Sequence, residues 1–515
     1  KLEPEMAKTP QAVRDLLLRV WEPARSKAAE DAAKLEQMMH DDGINGELEP
    51  WDWRYYAEKR RKAEHDLDES LLKPYLSLEA MIGAAFDCAN RLFGLDFRPV
   101  DLPLYHPDAR VFEVTRGGKH LALFIGDYFA RSSKRSGAWC STFRGQRKLG
   151  GEVRPIVVNV CNFAKPEAGT PALLSYDDAR TLFHEFGHAL HCMLSDVTYP
   201  FISGTSVARD FVELPSQLYE HWLEVPEVLE KHARHVETNE PMPAQLLDRL
   251  VAAQNFDQGF ATVEYVASAL VDLAFHEGAA PADPMARQAE VLREIGMPNA
   301  IRMRHATPHF AHIFSGDGYS SGYYSYMWSE VMDADAFDAF REAGSPFDKA
   351  TAERLEMHIL SAGGSDDAEA LYIIPRGHAR SRGIVAGQGS VGVRLKIVFC
   401  CNSEPNCFVF RSQWARFPGR GRAYRFRNCR KSWQIVPRPN FCFRNADDLP
   451  QRAVHGLASL SLTLRFAIKA KTWRRSGRVD TIMNIRHRQG SKPVGVGLFM
   501  SKFLRAVALS VAMVA

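Results

Sequence analysis

Apolar positions recur along most of the chain with the period of an α-helix. Val13, Leu16, Leu17, Val20 and Trp21 fall three and four apart within residues 8–40, a stretch otherwise rich in Ala, Glu, Lys and Arg, which predicts a long helix with one buried face. Gly43-Ile44-Asn45-Gly46 breaks it. Pro50 opens Trp51-Asp52-Trp53-Arg54-Tyr55-Tyr56, and a charge-laced helix is predicted from there to about Lys73, with Pro74 ending it. Residues 78–93 repeat the helical pattern. At Arg110 the period changes to two: Val111-Phe112-Glu113-Val114 and residues 120–125 flank Gly117-Gly118 as a hairpin, and residues 154–160 form a further strand. Helical spacing then returns. It predicts a helix from Ser175 to about Leu194 and others over 210–223, 227–235, 244–277, 320–342 and 351–360. Up to about Tyr372 the expected fold is mainly α with one small β-sheet.

Charge divides the chain. Hydrophobic residues make up 46% and charged residues 25%, ordinary for a globular protein, and the formal net charge is only +3. From Arg376 onward, however, 27 Lys and Arg face four acids, which leaves 38 basic against 58 acidic residues in 1–375, a net of −20. The expected organisation is a catalytic domain over 1–372 and a basic tail over 373–515. Two accounts fit the tail. One is a basic arm that binds nucleic acid non-specifically. The other, which its five cysteines and scattered Trp and Phe favour, is a shifted reading frame that is not natively folded. Four further cysteines (Cys88, Cys140, Cys161, Cys192) show no pairing pattern, which points to a reducing, cytoplasmic compartment. The chain starts Lys-Leu-Glu-Pro without a signal-peptide core, and the apolar run 506–515 is too short to span a bilayer; no membrane association is expected.

The candidate chemistry lies in Thr181-Leu182-Phe183-His184-Glu185-Phe186-Gly187-His188-Ala189-Leu190-His191. On a helix, residues four apart differ by roughly 40° in azimuth and one turn in height. His184 and His188 therefore offer two imidazoles to one metal, and Glu185 flanks them within reach of a water rather than as a ligand. Ser175 with Asp178 forms a capping-box pattern at the start of this helix. A third ligand is required. Glu213 is one candidate, but Asp210 as N-cap with Glu213 three residues on is itself a capping-box pattern, and Glu220 and His221 are rivals.

The run from Phe183 to His191, followed by Ser203-Gly204-Thr205 and Asp210-Phe211-Val212-Glu213-Leu214-Pro215-Ser216-Gln217, resembles the thimet oligopeptidase family of zinc metallopeptidases, in particular its bacterial peptidyl-dipeptidases. Supporting stretches are 50–56, 158–163, and His309-Phe310-Ala311-His312-Ile313-Phe314 running into Gly318-Tyr319-Ser320-Ser321-Gly322-Tyr323-Tyr324-Ser325-Tyr326-Met327-Trp328. The resemblance implies a zincin-like catalytic domain, one Zn²⁺ held by His184, His188 and Glu213, and Glu185 as general base. It further implies Tyr319, Tyr326 and His312 as donors to the developing oxyanion, and Tyr323 and Gly318 in a closing, substrate-binding loop. Tyr324 is read as core, and His191 and His309 as supporting or core residues. The implied activity is hydrolysis of short peptides, with release of C-terminal dipeptides or, alternatively, internal cleavage. Strand 156–160 is expected to offer its edge to an extended peptide. Arg131, Lys134, Arg135 and Arg209 are open candidates for the substrate carboxylate. The expected form is a monomer without a specific nucleic-acid partner. The family's long helical N-terminal region is largely missing, and the likeness stops after Leu371-Tyr372. A truncated, frame-shifted chain is the expectation these features carry, with an inert fragment as the non-enzymatic rival.

Overall fold

The computed structural model describes residues 1–253 and 255–376, and beyond them only the backbone of the paired strands Val398–Phe399 with Phe408–Val409 and Phe466–Arg475 with Arg478–His487. The chain divides into two units, Lys1–Gly392 and Val393–Ala515. The expectations for residues 373–515 as a whole lie outside the described residues. The first unit is mainly helical with one five-stranded sheet.

The long amphipathic stretch forms α1 (Pro10–Asp41), its first turn capped by the Thr9 hydroxyl accepting from the Ala12 N–H at 3.2 Å. Helix α2 (Trp53–His65) ends sooner than predicted, because Asp66 turns left-handed at φ 48°. The short α3 (Glu69–Leu72) and a 3₁₀ turn over Lys73–Tyr75 complete the segment that Pro74 had marked. Helix α4 (Leu78–Phe93) is closed by Gly94 at φ 68°.

The sheet comprises β1 (Leu95–Pro99), β2 (Arg110–Arg116), β3 (Lys119–Phe129), β4 (Trp139–Arg144) and β5 (Ile156–Phe163), in the order β1-β2-β3-β5-β4. The predicted hairpin is β2–β3: Arg116 pairs with Lys119 around Gly117 and Gly118, whose φ values of 55° and 74° are those a two-residue turn requires. Strands β1 and β4 were not predicted. Only Leu95 of β1 is buried and no residue of β4 is, so neither shows the alternation that marks a strand facing a core. This changes the expected recognition edge. Strand β5 is paired on both sides, parallel to β3 and antiparallel to β4; the open edge of the sheet at that end is β4.

After the sheet come α5 (Tyr176–Leu194), α6 (Arg209–Val212), α7 (Leu214–Leu223) and α8 (Pro226–His232). The predicted helix 244–277 is two, α9 (Ala244–Ala252) and α10 (Gln258–His276), interrupted where Asp257 adopts φ 59°. The unpredicted α11 (Pro284–Glu294) buries only Val291, although Asp283 and Pro284 carry a helix-start signal. The short α12 (Ala311–Phe314) precedes α13 (Ser325–Ala343), which begins five residues later than predicted. Helix α14 (Lys349–Leu355) runs into a π-turn over Glu356–Leu360, and α15 (Ala368–Arg376) follows.

Helix α5 is buried between the sheet and α7. On the sheet side Phe186 lies 5.3–5.6 Å from the rings of Phe86, Phe97 and Phe124; on the other, Phe183 stacks on Tyr219 at 5.7 Å. Each such ring contributes roughly 1.5–3 kcal/mol on burial, so several hold this helix on two sides. Gly187 makes the crossing with α7 possible: a Cβ there would meet the Pro215 carbonyl oxygen at 2.5 Å and the Ser216 Cα at 2.6 Å.

Candidate active site

The start of α5 is fixed by the predicted reciprocal cap. The Ser175 hydroxyl accepts from the Asp178 N–H at 3.0 Å, and the Asp178 carboxylate accepts from the Ser175 N–H at 3.1 Å. From that start the register sends His184 and His188 to one face. Across the crossing, the chain breaks its helix at Glu213, the residue between α6 and α7, and Pro215 occupies the first turn of α7, where its missing N–H costs nothing.

The capping-box alternative for Glu213 does not hold. Asp210 lies inside α6, and its carboxylate accepts from the N–H groups of Met6 and Ala7, both at 2.9 Å, and from the Tyr324 hydroxyl at 2.8 Å. Tyr324 is accordingly core, 2% exposed. Glu213 is free to turn inward. Its Oε2 stands 3.3 Å from His184 Nε2 and 3.1 Å from His188 Nε2, and the three side chains bring ligand atoms within 4.8 Å of one another.

These separations suit a cation. A tetrahedral ion with bonds of about 2.0–2.1 Å has ligand atoms roughly 3.3 Å apart along each edge. Electrostatics agree. Burial works against a charged His184, yet Glu213 and Glu220 at its two nitrogens raise its pKa well above the usual imidazole value. Burial equally works against an ionised Glu213, yet His188 and His184 hold its carboxyl well below the ordinary range. Both shifts favour positive charge beside the two carboxylates.

Glu220, considered in the sequence only as a rival ligand, has a different place. Its Oε1 lies 2.6 Å from His184 Nδ1, and its other oxygen accepts from Arg180 Nε. That leaves His184 Nε2 turned toward Glu213, the arrangement in which a carboxylate orients a ligating imidazole. Spacing held this signal: Arg180, His184 and His188 are four apart on α5, and Glu213, Gln217 and Glu220 share a face across the turn into α7. His221 is not in the cluster; it bonds Asp333 at 2.8 Å.

Glu185 is 5% exposed, and its Oε2 is buried without a hydrogen-bond partner. Burial lifts its pKa above the ordinary carboxylate value. His191 is wholly buried, whereas His309 lies exposed in a 3₁₀ turn rather than in the core.

The aromatic segment closes over the same carboxylate. The Tyr319 hydroxyl donates to Glu213 Oε1 at 2.6 Å, and the Tyr326 hydroxyl lies 2.9 Å from His312 Nε2. Tyr319 and Tyr326 stack in parallel at 5.9 Å, with the His312 ring 4.5 Å and 5.6 Å from each. Tyr323 is buried behind His312, against Phe310 and Tyr265. Gly318 lies in the turn before Tyr319, where a Cβ would have only the Arg209 guanidinium near it, at 3.8 Å.

Of the four candidate cations, two are committed elsewhere. Arg131 makes a two-pronged contact with Asp127 at 2.7 and 2.8 Å, and Lys134 is held by three carbonyl oxygens and the same carboxylate. Arg135 is exposed beyond β3. The Arg209 guanidinium lies 4.6 Å over the Tyr319 ring.

The profile described as Peptidase family M3 matches residues 1–382. A dipeptidyl carboxypeptidase of Salmonella typhimurium is 41% identical over 386 residues, covering 73% of this chain and 56% of the relative. That of Escherichia coli is 40% identical over 387 residues, covering 74% and 56%. Oligopeptidase A of Escherichia coli is 36% identical over 382 residues, covering 72% and 55%. The chain thus spans a little over half the length of these relatives. Among the described residues, no helix is long and apolar enough to cross a membrane.

Proposed function

Because the chain belongs to peptidase family M3, we propose that it hydrolyses short peptides at a single Zn²⁺ held by His184, His188 and Glu213, releasing dipeptides from free C-termini. The observation that carries this is the convergence of two imidazole nitrogens on one buried carboxylate oxygen, with Glu185 beside them, buried and unpartnered. Two nitrogens and one oxygen are a catalytic rather than a structural zinc set, since a fourth position stays open.

Zinc bound there supplies Lewis acidity toward the attacking water and the scissile carbonyl. The remaining work falls to the chain. Glu185, with its pKa raised by burial, takes the proton from the attacking water and returns it to the leaving amine. Glu220 keeps His184 oriented. Tyr319 and Tyr326, with His312 between them, donate to the oxygen on which charge develops. An extended peptide pairs with the open edge of β4, where Trp139 and Phe143 are exposed beside Cys140, which packs toward the core that α5 shares. Arg209, which has no ion pair with a described residue, receives the C-terminal carboxylate next to Gly318, and Tyr323 backs the wall that His312 forms. The free thiols Cys88, Cys140, Cys161 and Cys192 favour a reducing, cytoplasmic setting.

Product analysis tests this. The zinc-loaded chain should release dipeptides from a peptide with a free C-terminus and leave its C-terminally amidated twin uncut, and Glu185→Gln should abolish the release. Cleavage of the amidated peptide at an internal bond would assign oligopeptidase activity instead. No cleavage of either would refute the proposal.

A further inference from the structure

The tyrosines at the site sit on a stretch with little regular structure, so something must fix their backbone. Between α12 and α13 the chain makes a tight turn: the Gly322 N–H donates to the Tyr319 carbonyl at 2.8 Å, and the Ser325 N–H to the Gly322 carbonyl at 3.1 Å. Ser321, inside this turn, has φ 56°, a left-handed conformation that costs a residue with a Cβ and is held only where its surroundings impose it.

What imposes it comes from α10. Asp272 is 1% exposed, and its two carboxylate oxygens accept separately from two amides of the turn: Oδ1 from the Ser321 N–H and Oδ2 from the Tyr323 N–H, both at 2.9 Å. His276, one turn further along α10, places Nδ1 2.9 Å from the same Oδ1. Two turns earlier, the Tyr265 hydroxyl donates to the Tyr323 carbonyl at 2.6 Å and accepts from the Met327 N–H at 3.2 Å. One face of α10 therefore grips the turn from behind, while the Tyr319 and Tyr326 hydroxyls project from its other side to Glu213 and His312.

We propose that Asp272 is a positioning residue for this reaction: its carboxylate clamps the Ser321 and Tyr323 amides and thereby sets where the Tyr319 and Tyr326 hydroxyls stand. The inference rests on the role given to those tyrosines above. It depends on a property only an ionised carboxylate has here, since each oxygen must accept and an amide offers one acceptor and one donor group. In Asp272→Asn one backbone N–H therefore faces an NH₂ and loses its partner. Glutamate is not equivalent, because its extra methylene moves both oxygens.

The test uses the full zinc-loaded chain and two readouts. In Asp272→Asn, amide hydrogen exchange over residues 315–327 should rise at least tenfold while that of α5 and α7 stays as in the parent, with zinc content unchanged. Turnover should show at least a tenfold lower kcat with KM within threefold, because the tyrosines act when charge develops rather than on binding. Ser321→Gly added to Asp272→Asn should restore part of both losses, since glycine holds a positive φ unaided. Parent-like exchange and kcat in Asp272→Asn would overturn the proposal. So would a loss of zinc or a general rise in exchange, which would make Asp272 merely a core residue, or a loss that Ser321→Gly leaves untouched. The exchange readout needs no catalysis. A parent without peptidase activity would therefore refute the functional proposal while exchange still decides the clamp.

Discussion

The two halves of the site are held by different means. His184, His188 and Glu213 stand on α5 and at the start of α7, elements locked by a reciprocal cap, a cluster of phenyl rings and a glycine-mediated crossing. Tyr319, Tyr326 and His312 stand on a turn and two helix ends, held by hydrogen bonds to backbone amides and carbonyls. Rigid helix register suits metal ligands, which must be held close to one geometry. A turn anchored at a few points suits donors that meet the substrate only as charge develops. Damage should therefore separate along the same line: changes to the first half should act on metal affinity, and changes to the second on turnover.

Tyr319→Phe carries the largest expected effect. One hydroxyl is lost from the second half, the one that also donates to Glu213 Oε1; kcat should fall about 10²–10³-fold, as for other single oxyanion donors, with one zinc still bound per chain. Steady-state kinetics alongside metal analysis read this directly; a loss of zinc would merge the two halves. Glu220→Gln probes the first half. It leaves His184 without a carboxylate at Nδ1 and should weaken zinc binding about 10–100-fold in a competition titration with a chelator. An unchanged affinity would remove Glu220 from the metal's support.

The smallest effect lies outside both halves and serves as a control. Asp257 accepts the Trp53 indole N–H at 3.0 and 3.1 Å, and burial pushes its pKa up to about 6. The unfolded chain releases that proton near pH 4, about where a free aspartate does. The folded state thus binds more protons between those values, so this residue lowers stability as pH rises from about 4 to 6, and the loss persists above. Asparagine keeps an acceptor for Trp53 and tolerates the φ of 59°. Asp257→Asn should therefore raise the melting temperature at pH 8 by about 1–2 °C, a gain on the order of 1 kcal/mol, and lose that advantage below pH 4. Zinc content and kcat should not move. An equal gain at pH 4 and pH 8 would contradict the assignment.

The same line separates what the sequence makes legible from what it does not. His184 and His188 share a helix face by arithmetic, and the Ser175–Asp178 pattern marks where that helix begins. Arg180 and Glu220 obey the same periodicity, yet a pattern of fours does not distinguish a ligand from the residue that orients it; only the crossing at Gly187 does, and that is tertiary. Strand β4 was invisible because none of its side chains is buried, and with it the true edge of the sheet. Asp257 and Ser321 break helical stretches by taking left-handed backbone conformations that no residue-type pattern announces. Asp272 lies within a mainly apolar helix, 49 residues before the amide of Ser321 that it binds. Its role depends on where the turn returns to α10, which sequence spacing does not encode. Asp210 shows the converse, since a plausible local cap was displaced by partners more than a hundred residues away, Met6, Ala7 and Tyr324.

In the proposed site Glu213, rather than a neighbouring acid, completes the metal set. The most direct measurement is the zinc content of Glu213→Ala, purified beside the parent and dialysed against the same metal-buffered solution. One zinc per parent chain and a near-complete loss in the variant is the predicted result. A variant that retains zinc with the parent's stoichiometry and affinity would contradict it.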